Sequence, residues 1–186
     1  MKNEQTKRIA HTAVMIALAT VLSMVPIPSL TFGGKVTLFS MVPILFIAFK
    51  YGWKWGVATS FIFALIQAGM SIPEILSWGM TPTAVAGCLL LDYIIAYTIL
   101  GFAPLFSFSK KAPEVAGTAI VMFLRYLSHV LSGIVIFGEF MADEVVALVG
   151  SNIFIYSATY NIIFMGIEAV LTVFGIFAIR RFVKNN

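Results

Sequence analysis

Residues 35–50 read KVTLFSMVPILFIAFK, and whether this stretch crosses a membrane decides how the chain is arranged. Its uncharged interior, between Lys35 and Lys50, is shorter than the roughly 20 residues a helix needs to span the hydrocarbon core. Lysines at both ends can snorkel toward the headgroups, which makes a short span tolerable. Five other apolar segments surround it: Ile9 to Pro28, Trp55 to Ile72, Met80 to Phe106, Val115 to Gly138 and Val145 to Ile179. Without residues 36–49 there are five spans, and Arg180, Arg181 and Lys184 fall across the membrane from Lys2, Lys7 and Arg8. The positive-inside rule disfavours that arrangement, so six spans are expected.

Composition points the same way. Of 186 residues, 60% are hydrophobic and 11% charged, against roughly 45–50% and about 25% in soluble domains. A soluble globular protein is excluded. The expectation is an all-α polytopic membrane protein, one membrane-embedded domain over residues 1–186, with six transmembrane helices and both termini cytoplasmic. Lys50, Lys54, Lys110 and Lys111 then share the cytoplasmic face with the terminal cations, and the opposite loops hold Lys35, Glu74, Glu139, Asp143 and Glu144. The formal charge of +4 is scattered in short groups between apolar stretches, a pattern of topology rather than of nucleic-acid binding.

Several chemistries are disfavoured. Cys88 is the only cysteine, so no intramolecular disulfide forms, and His11 and His129 are too far apart for a local metal-ligand motif. No cleavage site follows the first apolar segment, which is kept as a helix rather than a signal peptide. No internal repeat and no phosphate-binding glycine loop stand out, so energy for active transport has to come from a partner.

Ionisable groups in hydrocarbon are costly and face a bundle interior or a water-filled cavity. Within the spans these are Asp92, Arg125 and Glu168, with His129 beside them. At ~1.5 Å per residue, Asp92 lies about 15 Å in from Pro82 and His129 about 14 Å in from Gly138. Tyr156 and Asn161 lie roughly 8 and 15 Å into the last span, about 140° apart on an ideal helix. Four polar groups therefore converge in the outer half. Arg125 and Glu168 fall deeper and are read as a structural ion pair. Plainer readings stand beside this one: Asp92 neutralising Arg125, His129 as an interior histidine, and Tyr156, Tyr160 and Asn161 as interhelical hydrogen-bonding residues. Trp78, near Tyr93 and Phe137 in the topology, either closes over a flat ring or anchors at the interface. Ala13 and Ala17, with Ala10 before them, form a shallow strip on the first helix where another helix can approach, inside or outside this bundle.

Four stretches now become recognisable in order: FGGKVTLFSMVPILFIAFKYGWKWG (32–56), LLLDYIIAYTILGF (89–102), FLRYLSHVLSGIVIFG (123–138) and IYSATYNIIFMGIEAVL (155–171). Together they resemble the thiamine-binding S component of energy-coupling factor transporters. The resemblance implies a six-helix subunit of the bacterial plasma membrane that captures thiamine from outside. It implies association with a transmembrane coupling protein and two ABC ATPases, no cofactor and no catalysis. By resemblance, the acidic residue of the Asp92 and Tyr93 pair, His129, Tyr156 and Asn161 match positions that bind the aminopyrimidine, and Ala13 and Ala17 match the strip that docks on the coupling protein. Asp92 is one methylene shorter than the Glu of some relatives, and Phe137 stands where some carry a stacking Trp. Trp78 lies in a loop, Ser71 to Thr83, that does not align, and is placed by topology alone. Three rivals remain: the same scaffold binding hydroxymethylpyrimidine, an ion-coupled secondary transporter using Asp92 as proton site, and an intramembrane enzyme using Asp92 and His129 as acid and base.

Overall fold

The computed structural model describes residues 2–27, 34–109, 112–138, 141 and 143–185. Lys110, Lys111 and Glu139, part of the charge-sidedness reading, lie outside these residues, as do the side chains of Lys2, Glu144 and Lys184. The described chain is nearly all helical: α1 (Lys2–Ser23), α2 (Val42–Tyr51), α3 (Trp53–Ser77), α4 (Pro82–Phe106), α5 (Pro113–Val135), α6 (Asp143–Val149) and α7 (Ile153–Asn185). Two short strands, β1 (Pro26–Ile27) and β2 (Val36–Thr37), pair antiparallel ahead of α2.

Among the described residues, four helices are long and apolar enough to cross a membrane: α3, α4, α5, and α7 over Ile153–Arg181. The stretch 36–49 differs from its expectation as one continuous span. It begins as β2, and its helical part belongs to α2, ten residues long and ending at Tyr51, about 15 Å of rise against a hydrocarbon core of about 30 Å. Segment 145–179 is likewise broken, with Gly150 at φ +76 between α6 and α7. Turn chemistry sets other boundaries. Gly52, at φ +85, is the single residue between α2 and α3, a conformation that costs glycine nothing. Thr81 caps α4 by accepting from the Ala84 amide at 3.3 Å, and Pro82 occupies the first turn, where its missing N–H is no loss.

The centre of the bundle is filled by Ile44 and Leu45 of α2, Phe63 of α3, Leu100 of α4, Val121 and Met122 of α5, and Met165 of α7, all buried. Helices approach closely where side chains are absent: a Cβ on Gly56 would stand 2.6 Å from the Ala48 Cβ, and one on Gly101 would collide with the Val57 backbone. α1 lies on the outside, burying Thr12 and Ala19. It is pinned by Arg8 over the Trp55 ring at 3.9 Å, by a 3.0 Å contact of His11 Nδ1 with the Tyr51 hydroxyl, and by Trp55 Nε1 donating to Thr12 Oγ1 at 2.9 Å.

Candidate functional site

A cavity of about 370 Å³ opens among the end of α1, β2, α3, α4, α5 and α7, within the size range of small-ligand sites. α4 supplies its acidic side. There the helix rewinds as a π-helix over Leu89–Ile95 and ends as a 3₁₀ helix over Ile99–Phe106. The i→i+5 bonding of the π segment widens the turn, and Cys88, Asp92, Tyr93 and Tyr97 all line the cavity.

α5 faces this segment. His129 Nδ1 meets Asp92 Oδ1 at 2.8 Å, and Ser132 Oγ donates to Asp92 Oδ2 at 2.5 Å. The two members of the His129–Asp92 pair are 11% and 14% exposed, so they meet inside the bundle rather than at its surface. α7 forms the opposite wall. Asn161 Nδ2 donates to the Ser157 carbonyl at 2.9 Å and to the His129 carbonyl at 3.3 Å. The Tyr156 ring stacks on Tyr160 with centroids 5.9 Å apart and planes 20° apart, and Phe164 stands edge-on to both Tyr160 and His129. Thus Tyr156 and Asn161 line one cavity despite their angular separation on the helix.

Beneath them Arg125 Nη1 donates to Glu168 Oε2 at 2.7 Å, both side chains being almost fully buried. The guanidinium lies 4.4 Å from the Tyr97 ring centroid, and Glu168 Oε1 accepts from the Thr37 amide at 3.2 Å and hydroxyl at 2.6 Å. The depth reading holds here: Asp92 pairs with His129, and Arg125 pairs with Glu168. Trp78 and Phe137 meet edge to face, centroids 5.9 Å apart, on another side of the cavity. All seven residues singled out for binding in the sequence, Trp78, Asp92, Tyr93, His129, Phe137, Tyr156 and Asn161, line this one space. Ala13 and Ala17 do not, and lie exposed on α1.

Sequence reading missed other lining residues. Lys35 and Glu74 were counted only as loop charges, yet they form a 2.5 Å ion pair at the cavity. Their opposite signs in two loops of the same side were the available signal. Gln67, donating to Ser23 Oγ at 2.8 Å, bridges α3 to α1. Ser132 carried a signal too, one turn from His129 on the same helical face.

The chain matches the thiamine transporter protein family over residues 9–185. It is 33% identical over 178 residues to the protein named Thiamine transporter ThiT of Bacillus subtilis (strain 168), a match covering 88% of this chain and 85% of that relative. With the family match running from α1 to the end of α7 through all four long apolar helices, the chain belongs to the thiamine transporter protein family, as a multi-pass membrane protein.

Proposed function

We propose that the chain is the substrate-binding S subunit of an energy-coupling factor transporter in a bacterial plasma membrane, capturing thiamine in the Asp92–His129 cavity for ATP-driven import by partner subunits. In this reading α1 and the β-hairpin with α2 complete six crossings, both termini are cytoplasmic, and the cavity opens outward.

The observation that carries the proposal is the half-buried Asp92–His129–Ser132 cluster set among aromatic walls. A carboxylate accepts from the exocyclic amine of an aminopyrimidine, or from its ring nitrogen where that nitrogen carries a proton. With Asn161 Nδ2 committed to backbone carbonyls, its Oδ1 is the end that accepts from an exocyclic amine. The faces of Tyr160, Trp78 and Phe137 suit the cationic thiazolium. A carboxylate near the ring also favours a cation over a neutral analogue. The cavity reads more polar features of the pyrimidine than of the thiazole, so the aminopyrimidine fragment is expected to displace thiamine at lower concentration than the thiazole alcohol does. Equal displacement would count against this orientation.

Docking follows from α1. Ala10, Ala13 and Ala17 are exposed while Thr12 and Ala19 face the bundle, so the strip of small side chains looks outward, where a partner helix can approach closely. Ala13→Trp and Ala17→Trp are expected to leave thiamine affinity in detergent within about twofold of the parent and to abolish ATP-dependent uptake in proteoliposomes holding the coupling protein and ATPases. Thiamine accumulation in vesicles that contain this chain alone would contradict the proposal and favour a secondary transporter. In this reading ATP hydrolysis in the partner reorients the bound subunit, and this chain supplies the difference in thiamine affinity between outward and inward states.

A further inference from the structure

The π-helical turn of α4 raises a problem of placement. A π turn departs from the regular i→i+4 ladder, and here it carries Asp92, whose carboxylate must be held at one angle to read a flat ring. Side chains of α5 meet it at two successive points. Ser128 Oγ donates to the Leu91 carbonyl at 2.7 Å, and Ser132 Oγ donates to Asp92 Oδ2 at 2.5 Å. The two serines are one turn apart on one face of α5, and they are only 7% and 1% exposed. One holds the backbone of the π turn and the next holds the carboxylate of the following residue.

We propose that Ser132 is a positioning residue for ligand binding, fixing the plane of the Asp92 carboxylate while Ser128 fixes the π turn that carries it. This rests on the reading of the cavity as a thiamine site. With His129 alone on Oδ1, the carboxylate is free to swing about χ2, a torsion with broad preferences. A second donor on Oδ2 removes that freedom. An ionised carboxylate has about four acceptor positions; the two donors from α5 occupy one on each oxygen and leave the others for a ligand. Pre-set orientation of this kind lowers the ordering cost of binding.

Volume is not what Ser132 supplies, because alanine would fill nearly the same space. Its neighbour Gly133 makes the close packing with α7, where a Cβ would collide with Ser157 Oγ. Ser132→Ala should therefore leave the fold intact and act through Asp92.

The test is a double-mutant cycle by titration calorimetry with thiamine on the purified full chain: parent, Ser132→Ala, Asp92→Asn and both together. Ser132→Ala is expected to weaken thiamine binding about tenfold in the parent. In the Asp92→Asn background the same change should alter affinity by less than about twofold, since coupled residues are not additive. Infrared difference spectra of the two unliganded proteins should show a shift of the carboxylate stretch in Ser132→Ala that is absent in the Asp92→Asn background. Parent-like affinity in Ser132→Ala, or an equal loss in both backgrounds, overturns the inference alone. A parent protein that is folded and ligand-free yet gives no heat with thiamine overturns the functional reading and this inference together.

Discussion

Glu168→Ala is expected to lower stability by about 3–5 kcal/mol, because it leaves Arg125 as an uncompensated charge inside the bundle. Arg125 is 3% exposed and Glu168 2%, so solvent does not reach far enough to take over from the lost partner. The carboxylate also joins three elements. Its Oε2 holds Arg125 on α5, its Oε1 holds Thr37 on β2, and Thr37 Oγ1 accepts in turn from Ser40 at 2.6 Å. Removing it frees the hairpin as well as the helix. The midpoint of thermal unfolding in detergent reads the loss. The double variant Arg125→Met with Glu168→Met is expected to recover most of it, since apolar groups of similar volume commonly replace a buried pair without penalty. A double variant as unstable as Glu168→Ala would show that the stranded charge is not the cause.

Gly101→Val is expected to prevent recovery of folded protein. A side chain at this position points into the crossing of α4 with α3, and its Cβ would collide with the Val57 N and Cα and the Gly56 carbonyl carbon. These are backbone atoms, so no rotamer change relieves the overlap and the helices have to separate. Overpacking typically costs 1–3 kcal/mol where side chains can yield; here about 3 kcal/mol or more is expected. Gly69 on α3 provides the contrast, since its added Cβ meets nothing within 4 Å. Gly69→Ala should be neutral or raise stability by up to about 1 kcal/mol. Monodisperse Gly101→Val with an unchanged unfolding midpoint would mean that the two helices do not cross so closely.

The parts of this protein visible in its sequence were those where lipid makes a residue expensive. Asp92, Arg125, His129 and Glu168 stand out because charge in hydrocarbon needs a partner, and a fixed rise per residue is enough to put Asp92 and His129 in one layer and to pair Arg125 with Glu168 beneath it. Trp78 is brought near Phe137 by topology alone, with no alignable motif around it. What stayed hidden was the winding of the backbone. In a run such as LLLDYIIAYTIL almost every position is apolar, so no period separates an α turn from a π turn or a 3₁₀ end. The same holds for residues 36–49, where hydrophobicity is shared by a strand, a turn and a short helix. Lys35 and Glu74 are hard to read for another reason: charges outside the apolar segments report on sidedness, and nothing in their spacing shows that Lys35 reaches Glu74 at the end of α3. Ser132 is not legible in the sequence because a lone serine in a membrane helix has many plain uses, and only its contact with Asp92, one turn from the Ser128 contact with the π turn, separates it from them.

The central claim is that the Asp92–His129 cavity binds thiamine. Isothermal titration of the purified, ligand-free protein with thiamine, beside Asp92→Asn, tests it most directly. The account predicts one-to-one binding in the parent and at least tenfold weaker binding in the variant, the loss of a hydrogen bond to a charged group being worth about 1.5–3 kcal/mol. Thiamine binding of equal strength in both proteins, or none in a folded parent, would contradict it.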